Sequence, residues 1–182
     1  MSCSYSFTGQ LLDCKDSAGG VKEVYIIDNG YVTGYTFSGN TEVISAIYLT
    51  AGQTFKTYQL RKQVASLNTT VTTNDQAGTT FYQTDLVFSI PRLNASKRLE
   101  LKALSVGNMS VIVRDNNDDY WGLGFGSVVT LNAGSANTGI NFGDANGYQY
   151  TLQQIDKIPP FFIDPSCLTA ILDSNVSLPL PS

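Results

Sequence analysis

Short apolar runs rich in β-branched and aromatic residues recur along this chain, parted by polar turn signals, the pattern of a β-rich fold. Val21-Lys22-Glu23-Val24-Tyr25-Ile26-Ile27 opens the series after Gly19-Gly20. Its β-branched and aromatic content predicts a strand. Asp28-Asn29-Gly30 reads as a turn, because Asn-Gly readily supplies positive φ. Short strands are predicted over residues 31–37 and 43–49, parted by Ser38-Gly39-Asn40.

The longest strand-like run spans residues 53–73. Over residues 56–63 it places Tyr58 and Leu60 on one face and Thr57, Gln59, Arg61 and Gln63 on the other. Asn74-Asp75-Gln76-Ala77-Gly78 is the turn, and residues 79–90 return with Phe81, Leu86, Phe88 and Ile90 available for burial. Both arms exceed the ordinary strand of ~5–6 residues. They predict a long hairpin that folds over its own barrel or reaches a neighbouring subunit. Residues 94–107 are ambiguous by period, since Leu99-Glu100-Leu101-Lys102-Ala103 also alternates as a strand would, and composition decides. Leu, Glu, Lys, Arg and Ala dominate there, Asn94 can cap, and Gly107 can terminate, so the segment predicts a helix with Leu99, Ala103 and Val106 on one face.

Two further hairpins follow. The first runs through Met109-Ser110-Val111-Ile112-Val113-Arg114-Asp115, turns at Asn116-Asn117-Asp118-Asp119, and returns at Tyr120-Trp121-Gly122-Leu123-Gly124-Phe125. The second is expected between Thr138 and Leu152, turning at Gly143-Asp144-Ala145-Asn146-Gly147. Pro159 and Pro160 force an extended segment. The tail beyond is apolar, with Leu168, Ile171, Leu172, Val176 and Leu178, so it is expected to dock on its own domain or on a neighbour. The organisation is therefore an N-terminal arm (1–20), a β-sandwich or open-barrel domain (21–158) and a C-terminal extended arm (159–182).

Composition narrows the function. Charged residues make up 14% of the 182, and hydrophobic residues 42%. The balance is Thr, Ser, Asn, Gln and Gly, which suits extensive protein contact because little charge must be desolvated. A net charge of −4 argues against gripping nucleic acid by neutralising phosphates. Histidine is absent, which removes the usual acid–base group near neutral pH and the commonest metal ligand. Cys3, Cys14 and Cys167 are an odd set without C-x-x-C spacing and read as thiols, although a Cys3–Cys14 bridge is geometrically open. No signal-peptide pattern and no long apolar span appears, so no membrane anchor is expected.

The remaining chemistry reduces to turns. Asp115, Asn117 and Asp119 take the first, third and fifth places of a calcium loop, but Tyr120 replaces the required glycine and Gly126 the closing glutamate. Gly122-Leu123-Gly124-Phe125-Gly126 lacks the dinucleotide spacing. Asp115, Asp118, Asp119 and Asp144 each sit in a turn, where Asp bonds to the local backbone, so turn chemistry accounts for them without a hydrolytic carboxylate pair. No catalytic residue, cofactor site or metal site is assigned.

Four features together resemble the tail tube proteins of tailed bacteriophages and the related inner tubes of contractile injection machines. These are the segment from Cys14-Lys15-Asp16-Ser17 through Gly20-Val21 to Ile26, the helix between a long hairpin and the 109–115 strand, the acidic turn leading to Tyr120-Trp121-Gly122-Leu123-Gly124, and Gly143-Asp144-Ala145-Asn146-Gly147-Tyr148 running on to Pro159-Pro160. The resemblance covers residues 13–163 by pattern and order. It implies a mainly β fold, a sandwich or open barrel flanked by one helix, assembling six to a ring. The sheets of neighbours would join into an inner barrel around a channel that passes double-stranded DNA without binding it. It further implies a virion protein made in the bacterial cytoplasm, with itself and other tail or neck proteins as partners.

On this reading rings stack, the hairpin of residues 53–90 is the first candidate for ring-to-ring contact through Lys56, Tyr58, Leu60, Arg61 and Phe81, and the N-terminal arm and the tail, with Phe161, Phe162 and Leu168, are the second candidates. Asp115, Asp118 and Asp119 are candidates to face the channel. The rival readings are a head–tail adaptor or tail terminator of the same fold, a carbohydrate-binding or adhesin module built on Trp121 and the tyrosines, and a two-carboxylate hydrolase.

Overall fold

A computed structural model describes residues 17–39 and 41–172. Most of the N-terminal arm, with Cys3 and Cys14, and the last ten residues lie outside the described residues. The fold is mainly β, two sheets with one helix, as the sequence predicts.

Among the described residues eleven strands are formed: β1 Val21–Asp28, β2 Val32–Phe37, β3 Val43–Leu49, β4 Lys56–Gln59, β5 Ala65–Asn74, β6 Thr79–Pro91, β7 Met109–Asp115, β8 Tyr120–Leu123, β9 Thr130–Asn137, β10 Gly147–Asp156 and β11 Phe161–Ile163, with helix α1 at Ala95–Val106. A seven-stranded sheet has the order β2-β3-β11-β8-β7-β1-β4, and a four-stranded sheet the order β5-β6-β10-β9. The first core lies between the two sheets. Val24 and Ile26 of β1 and Val111 and Val113 of β7 meet Leu86 and Phe88 of β6 and Tyr148, Tyr150 and Leu152 of β10. Phe88 stacks on Tyr150 with ring centroids 5.2 Å apart.

The seven-stranded sheet is buried on its other face too, and this explains why β7 reads as an unbroken apolar run rather than an alternating one. Tyr25, Ile112 and Tyr120 on that face form a second core with Ile44, Phe55, Phe161, Ile163, Leu168, Ile171 and Leu172. The C-terminal segment supplies much of it. β11 inserts between β3 and β8, parallel to the first and antiparallel to the second, and a 3-10 turn at Pro165–Ala170 folds Leu168 underneath. Residues 161–172 are thus structural members of the domain, and the extended arm expected from residue 159 is not what they form. Their apolar content is spent internally.

Three further expectations change. The run of residues 53–73 is two strands in different sheets: β4 pairs with β1, and the chain breaks at Gln63 (φ +61) before β5 starts. Pattern alone misses this because the break carries no glycine or proline. The long hairpin is therefore β5–β6, joined by the expected turn at residues 75–78. The first arm of the last hairpin is β9, and residues 138–146 form the loop instead of a strand. Thr130–Asn137 has few strand-forming side chains. Its Gly134 lies where an added Cβ would come 3.0 Å from Leu101 of α1, so a small residue admits the helix.

Helix α1 begins and ends as predicted. The Asn94 side chain accepts from the Lys97 N–H, and the Gly107 N–H donates to the Ala103 carbonyl. Its buried face differs, however. Leu104 is buried and Leu101 packs on the core, while Leu99 and Val106 stand exposed. Apolar residues occur around the whole helix, so β9 decides which of them are covered.

Candidate assembly surfaces

The two sheets treat their edges in opposite ways. In the seven-stranded sheet one edge strand, β4, is four residues long and carries Lys56. The other, β2, is irregular at Val32/Gly34 and at Thr36/Phe37. Short strands, lysines and bulges are the means by which proteins blunt a sheet edge. The four-stranded sheet has neither short strands nor lysines at its edges, and its one irregularity is a register shift between β10 and β9 at Thr151/Leu152. β5, with the sequence ASLNTTVTTN, and β9, with TLNAGSAN, are both free of charge and proline. Among the described residues no backbone hydrogen bond closes the outer side of either strand. Every pairing in this sheet is antiparallel, so β5 and β9 run in opposite directions. A second copy placed beside the first would bring β5 antiparallel to β9 and continue the ladder without a break.

The outer face of that sheet is polar and almost uncharged. Register rows place Asn68, Asp85 and Gln153 together, then Thr70, Gln83 and Ile155, and then Ser66, Val87, Thr151 and Ala133. Asp85 is the one charged group on it among the described residues, and its carboxylate accepts from Gln83 Nε2 at 2.9 Å and Gln153 Nε2 at 2.8 Å. A row of amides and hydroxyls around one satisfied carboxylate offers no cationic grip to a phosphate backbone.

The sequence-derived contact residues divide. Lys56 and Arg61 are exposed near the β4 edge, Tyr58 and Leu60 are half-buried against the inter-sheet core, and Phe81 is half-buried on the hairpin. Phe161 and Leu168 are buried in the second core, so neither is a surface contact of the folded subunit. Phe162 is 43% exposed and lies over Trp121 at 4.1 Å between centroids.

The acidic turn is a folding device. Asp115 accepts from the Asn117 and Asp119 N–H groups at 2.8 and 3.0 Å and from Trp121 Nε1 at 3.3 Å. Asp118 pairs with Arg114 at 2.7 Å and Lys22 at 3.0 Å, and the Lys22 bond followed by the Arg114 bond holds its carboxyl below the ordinary value. Buried Arg114 also bonds Glu23 at 2.9 Å, tying the β7–β8 turn to β1. Partial burial, then Asp115 and Asp118, push the Asp119 carboxyl up. Asp115, Asp118 and Asp119 belong to the β7–β8 turn of the seven-stranded sheet, and Asp115 lines a shallow pocket with Ser66, Leu67 and Thr69 of β5.

The rival chemistries find little here. Tyr120, Tyr148 and Tyr150 are buried and Trp121 is covered by Phe162, so the tyrosines proposed for a sugar platform are core residues. Among the described residues no cluster of His, Cys, Asp or Glu could hold a metal ion, and no helix is long and apolar enough to cross a membrane. Burial pushes the Cys167 thiol up to about 11, which disfavours its thiolate, and its Sγ donates to the Asp164 carbonyl. Sequence reasoning missed β9 as an edge strand. The missing signal was the run of small uncharged residues from 130 to 137, which reads as a loop until β10 is placed beside it. No protein-family model, curated protein or solved structure matches the chain.

Proposed function

We propose that this chain is a structural protein of a phage virion, a tail tube subunit that closes into rings by joining the β9 edge of one copy to the β5 edge of the next. The observation that carries the reading is the pair of long, uncharged, oppositely directed edges on one sheet, next to a second sheet whose edges are blunted. Edge-to-edge growth of this kind leaves a monomer exposed to uncontrolled pairing, and closure into a ring removes that hazard.

Ring size follows from the ordinary strand spacing. Six sheets of four strands spaced ~4.8 Å apart enclose a backbone circle ~37 Å across, and strand tilt widens it further. The polar outer face then lines a channel through which DNA moves without being held. The outer face of β5, β6, β10 and β9 takes the lining role, and the Asp115–Asp119 turn lies on the other sheet.

Negative-stain microscopy of the purified full chain tests the proposal. Rings or stacked tubes are expected. Lysines introduced on both edges, as Thr70→Lys with Ser135→Lys, leave a folded monomer that forms neither. A dispersed wild-type monomer at high concentration overturns the reading.

A further inference from the structure

The loop between β9 and β10 is the most exposed apolar feature described. Ile140 is 97% exposed and Phe142 is fully exposed. Large apolar side chains presented side by side to water mark contact sites more often than chance.

The loop is also built to hold its shape. The Ile140 and Asn141 backbone N–H groups donate to one Asp144 carboxylate oxygen at 2.9 and 2.7 Å. The Asp144 N–H donates back to the Asn141 carbonyl at 3.1 Å. Gly139 has φ +71, and a Cβ there would come 2.6 Å from that of Asp144, so the bend requires glycine. At its base Asn146 accepts from the Arg92 N–H through its carbonyl and from the Leu93 N–H through its side chain. A loop fixed before contact loses less conformational entropy on docking.

Its position selects the partner surface. Asn137 and Gly147 pair at one end of the four-stranded sheet, and the loop stands beyond that end. Beyond the other end, Thr130 begins β9 and Asp156 ends β10, flanked by Val128 and Ile158. These two segments are packed together. Gln154 Nε2 bonds both Ser127 and Asp156, and a Cβ on Gly126 would lie 3.6 Å from Ile158. Val128 and Ile158 are 38% and 40% exposed. Charge does not oppose the seating: Asp144 of the loop and Lys157 next to Ile158 are opposite in sign and form no ion pair among the described residues, while Asp156 of the patch accepts from Gln154 Nε2 and the Lys157 N–H.

We infer that the 138–146 loop is an axial knob that seats Ile140 and Phe142 on the Val128–Ile158 patch of a second copy of this chain. Knob and patch are different surfaces, so the contact is head-to-tail and propagates along the strand direction. One such contact is small. A buried Phe contributes ~150–250 Å², against ~1,200 Å² or more for a stable interface. Repeated around a ring it becomes strong by multivalency. The inference rests on the ring reading above for its strength, and it assigns ring stacking to a surface distinct from the edges that close the ring.

The test uses the full chain with Ile140→Ser and Phe142→Ser together. Both side chains are exposed, so an unchanged melting temperature is expected, while microscopy shows single rings in place of tubes. The mean number of rings per tube drops roughly tenfold or more, because avidity multiplies small losses. A photoreactive benzophenone amino acid at position 142 gives a second readout, a cross-linked dimer whose joined peptide contains Val128 or Ile158. Wild-type tube lengths in the double variant, or cross-links elsewhere, overturn the knob while leaving the ring reading intact. Wild-type protein that makes no rings overturns the ring reading, and the cross-link alone then decides the knob: the 128/158 peptide upholds it and its absence refutes it.

Discussion

Leu168→Ala separates a tail that is part of the domain from one that serves as an arm. Leu168 is fully buried, packed in the second core with Ile44, Phe55, Ile171 and Leu172. Truncating a buried leucine costs ~2–5 kcal/mol, through lost transfer energy and the cavity left behind. The 3-10 turn that carries it is held by the Asp164 side chain, which accepts from the Ser166 N–H at 2.9 Å. The turn is therefore constrained against collapse, and a value of about 3 kcal/mol in the middle of the range is expected. With an m-value near 2 kcal/mol/M in urea, the unfolding midpoint falls by about 1.5 M. Thr169→Ala, exposed on the same turn, serves as the control and shifts stability by less than about 0.5 kcal/mol. The assay is urea denaturation followed by tryptophan fluorescence. Two protein concentrations are used, because a residue buried between subunits would give a loss that depends on concentration. A Leu168→Ala midpoint within about 0.3 M of wild type, at unchanged m, refutes the packing argument.

Two further outcomes follow from the same contacts. A Cβ on Gly147 would lie 2.3 Å from the Ile90 carbonyl oxygen, whereas Gly143 in the adjoining loop has open space around it. Gly147→Ala is expected to destabilise by more than about 2 kcal/mol and Gly143→Ala by less than about 0.5, read by thermal melting. Asp118 has a carboxyl held below its ordinary value by Lys22 and Arg114, so its pairs add stability above the unfolded carboxylate pKa of ~3.9, and that stability is lost as pH falls through the lower folded value. Asp118→Asn thus lowers stability at pH 7 by no more than the ~0–1 kcal/mol of exposed pairs, and the difference vanishes in strong acid. A difference that grows on acidification would contradict the assignment.

Much of the architecture is legible in the chain. The strand Met109–Asp115, the turn after it, the helix with its Asn94 cap and the long hairpin turn are all placed by local chemistry: β-branched runs, Asn, Asp and Gly at turns, and a capping side chain. What local pattern does not contain is partnership. Nothing in Phe161-Phe162-Ile163 indicates that it sits between β3 and β8, and nothing in Thr130–Asn137 indicates pairing with β10. The helix face follows the same rule, since Leu99 and Leu101 are equally apolar, and it is Leu101 that lies against Gly134 of β9 on the side of buried Leu104. The candidate surface was half visible. The uncharged composition points to contact between proteins, yet two of the eight residues expected to make it, Phe161 and Leu168, are consumed by the second core.

The insertion of β11 has a consequence for biogenesis. β2 and β3 form one ribbon, β8, β7, β1 and β4 form another, and the three residues of β11 are the only rungs between them in the described sheet. A nascent polypeptide short of Phe161 therefore holds two unjoined pieces, however much of it has emerged. Contacts this distant along the backbone form late and slowly. The seven-stranded sheet is therefore whole only after Phe161–Ile163 has emerged, and both ribbons wait on that one short segment to join them.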